Sequence, residues 1–437
     1  MEALLLLAIL FGLIFLRMPV PFAMLTAAVI FIASQTYFGG SPIFKAAGIR
    51  IIPQRMTPSL ESFPLLAIPL FVFAGNLLNV SGIADSIFAF AKSLVAHIHG
   101  GLAHVNILAS IVFSGMSGVA AADAAGLGAI EIKAMEKAGF SKPFSAAVTA
   151  SSSIIGPIIP PSVIMVIYAV LSGESIAKLF LAGIVPGLFL GFVLMVLIYV
   201  LAVTKRIDAP VTPRASFREV TCSAWRALPG LLAPLLLVVG LLSGVATPTE
   251  LGAIVTVYAI VLGVGMRELT LTALIEAMRS TVFTIGALVF ILACAAPISW
   301  LISVLNVPET LQTALLTISD NPIILLLMIN VMLLIAGLVM ETTAIMLIAV
   351  PTLWPLIGTL GMDPTQFGVM LIFNLLIGAI TPPFGVILFI MMDVAKISYG
   401  SLVRAMIPFY IPIVVTLLVI TFVPAVTLFL PELLTGK

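Results

Sequence analysis

Charged residues are scarce in this chain. Asp, Glu, Lys and Arg make up only 8% of its 437 residues, whereas 62% are hydrophobic, and a soluble domain usually carries about a quarter charged residues. The 19 basic and 18 acidic residues nearly cancel, so no basic stripe is available to bind nucleic-acid phosphates. Two cysteines are too few for a disulfide framework or a cysteine metal cluster. The composition predicts an integral membrane protein without a nucleic-acid partner.

One short phrase occurs twice in the sequence. Residues 155–162 read IGPIIPPS and residues 377–384 read IGAITPPF, 222 positions later. Each copy places a glycine and a proline pair within an apolar run, and such residues interrupt a helix. A broken helix in a bilayer is tolerated only where protein or a water-filled cavity satisfies the freed peptide groups. Paired interruptions in two halves point to the binding site of a secondary transporter.

The same offset aligns further glycine and proline residues without a gap. The additional pairs are Gly115 with Gly337, Gly139 with Gly361, and Pro186 with Pro408. Matching backbone-breaking residues over so long a stretch indicate a duplication. The first predicted repeat covers residues 1–210 and the second covers residues 226–437, and the polar stretch 211–225 is the predicted linker.

The length and hydrophobicity of each repeat predict five membrane crossings, because a spanning helix needs about 20 apolar residues. The predicted spans are 2–17, 19–38, 63–80, 143–171, 184–204, 226–244, 248–266, 280–305, 364–395 and 406–430. Because five is an odd number, the second repeat enters from the opposite side of the membrane and the repeat is inverted. Most Lys and Arg residues then fall on the side of the linker, which predicts a cytoplasmic linker and both termini outside.

Two more apolar runs have polar, glycine-containing centres that suit a lipid-facing span poorly. They are residues 102–135 and 321–357, and each precedes one of the interrupted spans. We predict an all-α polytopic membrane protein with two re-entrant helical hairpins, 102–135 and 321–357, and two helices broken at Gly/Pro motifs, 143–171 and 364–395. Such parts suit alternating access around a site at the bilayer midplane.

A stretch near the start of the chain is too polar to span the membrane. Residues 39–62 contain several prolines together with Arg50, Arg55 and Glu61. An amphipathic arm in the interface plane is the predicted structure, and a plain loop is the alternative. Residues 266–279 occupy the corresponding place in the second repeat.

The broken helices and hairpin tips supply the chemistry for ions and an anion. A helix that stops leaves free carbonyls with partial negative charge, and the next half-helix begins with free N–H groups of partial positive charge. Carbonyls and hydroxyls suit a hard cation such as sodium, and N–H groups suit a carboxylate. The predicted first sodium site consists of Ser114, Ser117, Gly118, Gly156, Ile159 and Pro160. The predicted second sodium site consists of Gly337, Val339, Thr342, Gly378, Thr381 and Pro382.

An anionic substrate is predicted between the two sodium sites. Its candidate contacts are Ser117, Ser162, Glu341 and Thr343. Glu341 and Asp123 are the acids near the hairpin tips, and acids within a membrane are usually functional. Structural roles are the alternatives: small residues permit close helix packing, glycine and proline make simple kinks, and either acid could be a buried, hydrogen-bonded group.

The motifs together resemble a known family. The tip SGMSG at 114–118, ATPTE at 246–250, METTA at 340–344 and the two PP-containing breaks are similar to those of the large membrane subunit of tripartite ATP-independent periplasmic (TRAP) transporters. The resemblance implies an elevator-type secondary transporter in the bacterial inner membrane that imports an organic acid, such as a C4-dicarboxylate or sialic acid, with sodium as the coupling ion. It also implies a small four-helix membrane subunit, expected as a separate chain, and a soluble periplasmic substrate-binding protein.

Two other classes of function remain as alternatives. The first is a stand-alone sodium-coupled dicarboxylate carrier of similar two-hairpin architecture. The second is a membrane-embedded enzyme or a channel. An enzyme would need His/Asp or His/Glu clusters at ligand spacing, and a channel would need a repeated filter around a symmetric pore. No Walker motif is present, which argues against ATP as the direct energy source. A non-enzymatic transporter is therefore predicted.

Overall fold

The computed structural model of the chain describes residues 2–37, 42–207 and 212–435, and its regular elements there are helices. Between residues 2 and 207, outside the gap at 38–41, the described chain forms twelve α-helices: Glu2–Phe15, Val20–Tyr37, Pro42–Ala47, Ile51–Met56, Ala67–Val80, Ile83–Val95, Leu102–Ser117, Ala120–Ala125, Leu127–Lys137, Lys142–Ser153, Val163–Ser172 and Ile176–Val203. Short 3-10 turns at Gly48–Arg50, Pro58–Leu60 and Phe63–Leu66 join or extend them.

The second half contains the same kinds of element in a similar order. Its α-helices are Phe217–Ser243, Pro248–Gly265, Leu271–Val304, Val307–Ile318, Pro322–Gly337, Thr342–Leu353, Ile357–Leu360, Pro364–Ala379, Val386–Ala395, Tyr399–Phe422 and Pro424–Thr435, with a 3-10 turn at Trp354–Leu356. Several of these helices begin with a proline, such as Pro248, Pro322 and Pro364. Proline fits there because the N–H groups of the first helical turn have no partner within the helix.

Eight helices in the described part of the chain are long and apolar enough to cross a membrane. They are Val20–Tyr37, Phe63–Val80, Ile176–Val203, Phe217–Ser243, Pro248–Gly265, Leu271–Val304, Thr342–Leu360 and Tyr399–Phe422. Seven of these correspond to predicted crossings, whereas Thr342–Leu360 overlaps the predicted re-entrant hairpin 321–357. Of the other predicted crossings, Glu2–Phe15 is short at 14 residues, and 143–171 and 364–395 are each divided into two shorter helices. The prediction of an all-α polytopic membrane protein is confirmed.

Both predicted breaks are present. Lys142–Ser153 and Val163–Ser172 flank the first, which we call the first break (154–162). Pro364–Ala379 and Val386–Ala395 flank the second break (380–385). A cis prolyl peptide lies in each, at Pro160-Pro161 and Pro382-Pro383. The hairpins also form, since Leu102–Ser117 and Pro322–Gly337 are first limbs that end at glycine-containing tips.

Several predicted boundaries are wrong. Residues 217–225 are helical rather than linker, because Ser216 caps Phe217–Ser243: the Glu219 N–H donates to Ser216 Oγ (3.3 Å) and the Ser216 N–H donates to Glu219 Oε2 (2.7 Å). Residues 266–279, at the place that corresponds to the 39–62 stretch, contain the start of one continuous helix, Leu271–Val304, which Thr270 caps. Helices Ile83–Val95 and Val307–Ile318 were not predicted.

The stretch 39–62 is partly helical. Its described residues, from Pro42 onward, form Pro42–Ala47 and Ile51–Met56 with 3-10 turns beside them, so it is not a plain loop. Residues 38–41, which include the start of the predicted arm, lie outside the described residues. Its location in the interface plane stays a prediction.

The two repeats interlock at the centre of the molecule. Each first limb packs against the first half of its own broken helix, as Pro322–Gly337 does against Pro364–Ala379. Each second half-helix instead contacts the second limb of the opposite hairpin. Val163–Ser172 contacts Thr342–Leu353, and Val386–Ala395 contacts Ala120–Ala125. The hairpin tips and the breaks of both repeats are therefore brought together.

Buried polar bonds fasten each hairpin to its broken helix. In the first repeat, Ser152 Oγ donates to Asn106 Oδ1 (2.8 Å) and Ser110 Oγ donates to Ser152 Oγ (2.9 Å). In the second repeat, Asn374 Nδ2 donates to Asn330 Oδ1 (2.8 Å) and to the Asn330 carbonyl (3.1 Å). Ser152 and Asn374 are 222 positions apart, so they occupy equivalent places in the two repeats. A buried polar group is costly without a partner, so these bonds favour one fixed register between hairpin and broken helix.

Candidate ion and substrate site

The first hairpin tip lies directly against the first break. Gly118 ends the helix Leu102–Ser117 in a left-handed conformation (φ 62°), and a Cβ on it would collide with the Pro161 carbonyl oxygen. A Cβ on Gly115 would lie 3.7 Å from the Pro160 carbonyl oxygen. The absence of a side chain at Gly118 lets the tip approach the backbone of the first break closely, whereas Gly115 makes room mainly for the Pro234 side chain. The predicted cation site at this junction stays a prediction.

Asp123 is also part of this junction. Its side chain is 3% exposed, and a Cβ on Gly156 would collide with its Oδ2 atom. The sequence left Asp123 open between a functional and a structural role. Its carboxylate lies against Gly156, a predicted member of the first sodium site. A carboxylate there adds negative charge where a cation would bind.

The remaining residues of the first predicted sodium site lie on the first limb of the first hairpin or within the first break. Ser114 is buried, and its Oγ donates to the Ile111 carbonyl (2.6 Å). A hydroxyl that donates its proton keeps lone pairs for a cation. Ile159 and Pro160 lie within the first break. The side chain of Ser117 lies outside the described residues.

The second hairpin tip meets the second break in the same way. A Cβ on Gly378 would lie 2.6 Å from Gly337 Cα and 2.7 Å from the Gly337 carbonyl oxygen. Thr381 Oγ1 donates to the Ile377 carbonyl (2.6 Å), which again leaves hydroxyl lone pairs available. Pro382 follows Thr381 within the break, and Val339 and Thr342 flank the tip.

Two tyrosines that were not predicted hold the second break. Tyr410 Oη donates to the Ile380 carbonyl (2.8 Å), and Tyr399 Oη donates to the Pro383 carbonyl (2.8 Å). Both tyrosines belong to helix Tyr399–Phe422. These bonds satisfy two carbonyls that the helix interruption frees, so they fix the shape of the break.

A central cavity of about 400 Å³ lies between the two tips. Seven predicted site residues line it: Gly118, Gly337, Val339, Glu341, Thr342, Thr343 and Gly378. The other predicted residues with described side chains do not: Ser114, Gly156, Ile159, Pro160, Ser162, Thr381 and Pro382. The cavity therefore faces the second tip more fully than the first.

Ser162 has a role that differs from the predicted substrate contact. It is fully buried and caps the helix Val163–Ser172: the Met165 N–H donates to Ser162 Oγ (3.2 Å), and Ser162 Oγ donates to the Pro157 carbonyl. Its hydroxyl is engaged within the first break and does not reach the central cavity. Ser162 shapes the start of the half-helix instead.

Glu341 lies at the N-terminus of a helix. Its Oε2 accepts from the Ala344 N–H (3.2 Å), which makes it the N-cap of Thr342–Leu353, and its Oε1 accepts from Thr343 Oγ1 (2.9 Å). The side chain is exposed to the cavity. The N–H group of Ala344, in the first turn of this helix, therefore supplies a hydrogen-bond partner for this acid.

The electrostatics of the central cavity come mainly from helix ends. Among its described lining residues Glu341 is the sole charged one, and no Lys, Arg or His joins it. The helices Val163–Ser172, Thr342–Leu353 and Val386–Ala395 all begin at the lining. Helix N-termini carry about half a positive elementary charge each. An anion in the cavity would meet helix N-termini rather than basic side chains. At two of these N-termini a side chain already accepts one N–H group: Ser162 accepts from the Met165 N–H and Glu341 from the Ala344 N–H.

Comparison with known proteins identifies the relatives of this chain. The family profile described as "Tripartite ATP-independent periplasmic transporter, DctM component" matches residues 7–426. The sialic acid TRAP transporter large permease protein SiaM of Vibrio cholerae is 42% identical over 97% of this chain and 97% of its own length. The C4-dicarboxylate TRAP transporter large permease protein DctM of Pseudomonas aeruginosa is 36% identical over 89% of this chain and 91% of its own.

The fold also occurs in a solved structure. It is the Alcanivorax borkumensis YdaH transporter, which superimposes with a TM-score of 0.66 over 91% of this chain and 96% of that chain. The sequence identity is 15%, so this likeness concerns the fold alone.

Proposed function

Because this chain belongs to the DctM-component family of TRAP transporters, we propose that it is the large permease subunit of a sodium-coupled importer of an organic acid. The substrate is sialic acid, a C4-dicarboxylate or a similar carboxylate. The relatives named for sialic acid and for C4-dicarboxylate transport support this substrate class.

One observation carries the proposal. The second halves of both broken helices and the second limb Thr342–Leu353 begin at a cavity whose described lining contains no basic side chain. Of these three helix starts, that of Val386–Ala395 has no side-chain cap. Free N–H groups at helix starts bind carboxylates by hydrogen bonds and by the helix dipole. A carboxylate placed there is held without Lys or Arg, and the remaining negative charge is balanced by cations. The dependence on sodium follows from this charge balance.

The two tip-to-break junctions are the proposed sodium sites. Each offers carbonyl oxygens and a hydroxyl, the ligands that hard cations prefer, and Asp123 adds a carboxylate to the first. Loading both sites beside the central cavity places two positive charges near one anion. Substrate and sodium then stabilise each other's binding, which is the basis of symport.

The transport cycle is proposed to be of the elevator type, with the chain in the bacterial inner membrane and both termini periplasmic. A separate small four-helix membrane subunit and a soluble periplasmic substrate-binding protein complete the system. The similarity to TRAP large permease proteins favours this tripartite arrangement over a stand-alone dicarboxylate carrier.

Reconstituted transport tests the proposal. Proteoliposomes would contain this chain with its small subunit, and the binding protein would be loaded with N-acetylneuraminate or succinate outside. We expect uptake of one of these acids with an inward sodium gradient and none when choline replaces sodium. Uptake that is equally fast in choline would overturn the sodium coupling, and sodium-dependent uptake without any binding protein would favour the stand-alone carrier.

A further inference from the structure

A second cavity, the side cavity, adjoins the central one. It has a volume of about 330 Å³, and it shares Val119, Ala121 and Thr284 with the lining of the central cavity. Its own polar lining consists of Asn76, Asn79 and Ser280. Small-molecule sites usually measure roughly 300–1,000 Å³. The two cavities therefore adjoin at Val119, Ala121 and Thr284.

The polar residues of the side cavity come from two neighbouring helices. Asn76 and Asn79 are three positions apart on Ala67–Val80, and Ser280 and Thr284 are four positions apart on Leu271–Val304. Residues at these spacings share one face of a helix. The two helices pack together, so both polar faces meet at the cavity.

A hydrogen bond joins these two helices beside the cavity. Asn76 Nδ2 donates to Thr281 Oγ1 (2.9 Å), and Thr281 Oγ1 itself donates to the Ala277 carbonyl (2.8 Å). The first bond uses one amide proton of Asn76 and leaves its second proton and its carbonyl oxygen for a ligand. A Cβ on Gly126 would lie 3.3 Å from Asn79 Nδ2, so Asn79 reaches toward the first hairpin.

The side cavity differs chemically from the central one. None of its described lining residues carries a charge, and it contains two amides and two hydroxyls. Amides and hydroxyls both donate and accept hydrogen bonds, as the hydroxyl and acetamido groups of a sugar acid do. A second carboxylate would find neither a cation nor a basic side chain there. A four-carbon diacid would also leave much of the space unfilled.

We propose that the side cavity binds the uncharged, hydroxyl- and amide-bearing part of a sugar acid whose carboxylate lies in the central cavity, and that it selects such acids over C4-dicarboxylates. This inference rests on the proposed import of an organic acid and narrows it to the sialic acid class. Asn79 and Thr284 are the specificity-determining residues, since Asn79 faces the hairpin and Thr284 lines both cavities.

Direct binding to the membrane complex tests the inference without the soluble protein. The chain with its small subunit would be placed in nanodiscs, and the affinities for N-acetylneuraminate and succinate would be measured by calorimetry in sodium. We expect the unmodified complex to bind N-acetylneuraminate at least tenfold more tightly than succinate. Asn79→Leu and Thr284→Val keep side-chain size but remove hydrogen bonding, and each should weaken N-acetylneuraminate binding about tenfold.

Matched controls separate specificity from folding. Thr272→Val makes the same change on the same helix outside both cavities, and it should leave the affinity for N-acetylneuraminate unchanged. The sodium dependence of binding and the melting temperature should stay the same in all three variants. An analogue of N-acetylneuraminate that lacks the acetamido group should bind the unmodified complex more weakly, and Asn79→Leu should remove much of that difference.

The outcomes distinguish this inference from the proposed function. Tighter binding of succinate than of N-acetylneuraminate, together with sodium-dependent uptake of succinate, would overturn the side-cavity assignment and leave import of an organic acid standing. Unchanged N-acetylneuraminate affinity in both Asn79→Leu and Thr284→Val would also overturn it. Failure of every carboxylate to enter proteoliposomes with sodium would instead contradict the proposed function itself.

Discussion

Gly337 and Gly378 meet backbone to backbone, and a Cβ on Gly378 would lie 2.6 Å from Gly337 Cα. In the Gly378→Leu variant, the leucine side chain would force the second hairpin tip away from the second break. Because the carbonyls of the proposed second sodium site would then separate, we expect sodium-dependent uptake to be lost. Radiolabelled substrate uptake at matched expression is the measurement.

A matched glycine substitution controls for general damage. A Cβ on Gly358 would meet nothing within 4 Å, so Gly358→Leu should transport at close to the unmodified rate. Normal transport by Gly378→Leu, at normal expression and melting temperature, would show that the close approach is dispensable.

Tyr410 gives a second prediction, because its hydroxyl satisfies the Ile380 carbonyl at the second break. Tyr410→Phe leaves that carbonyl without this donor, and an unsatisfied buried acceptor costs about 1–3 kcal/mol. We expect a several-fold rise in the sodium concentration that gives half-maximal uptake, with a modest fall in melting temperature.

Tyr258→Phe is the control for this effect. Tyr258 Oη donates to the Pro229 carbonyl (2.6 Å) at a position outside both cavities. Its loss should lower the melting temperature without changing the sodium dependence. If the two variants shift sodium dependence equally, Tyr410 has only a general structural role.

The two breaks and tips could be predicted from sequence because their chemistry is local. A Gly–Pro phrase interrupts a helix wherever it stands, and its repetition supplied the partner break. Because Gly118 and Gly337 belong to the predicted tips and Gly378 to the repeated phrase, the sequence also indicated these three glycines. Helix Ile83–Val95 was not predicted, because a rule based on 20 apolar residues does not detect a shorter amphipathic helix.

The side chains that complete the site depend on packing between distant elements. Thr284 lies in an apolar helix, and the contacts of Leu271–Val304 with Ala67–Val80 and with Thr342–Leu353 place it at both cavities. Tyr399 and Tyr410 reach the second break because their helix packs beside it. Ser162 was predicted as a substrate contact, although a serine that precedes a helix commonly caps it. Asn76 and Asn79, two amides three positions apart within an apolar span, are the feature of the sequence that indicates the side cavity.

The buried pair Asn330 and Asn374 yields a stability prediction. Asn374→Leu leaves Asn330 Oδ1 without its donor, and Asn330→Leu removes the acceptor of Asn374 Nδ2. Each single change should therefore destabilise the complex by about 1–3 kcal/mol, whereas replacing both partners by apolar groups can be nearly neutral. Melting of the purified complex would give a double variant that is less destabilised than the sum of the single variants. Strictly additive losses would mean that the two side chains do not interact.

Glu341 is the sole charged group in the described lining of the central cavity, and it also caps Thr342–Leu353. Glu341→Gln removes the charge but keeps an oxygen that can accept from the Ala344 N–H, whereas Glu341→Ala removes both and should cost about 1 kcal/mol of helix stability. We expect Glu341→Gln to assemble with the small subunit at a nearly unchanged melting temperature and to show impaired uptake. A shift in sodium dependence would indicate a contact to the ion, and a shift in substrate dependence would indicate a contact to the substrate.

Glu219→Gln is the matched control, since Glu219 is also bound to the start of a helix, through Ser216, but lies away from both cavities. It should transport normally. Because Glu341→Ala loses the cap and the charge together, its uptake should be at least as poor as that of Glu341→Gln, with a lower melting temperature. Wild-type kinetics in Glu341→Ala would place Glu341 outside the transport site and leave it a helix cap only.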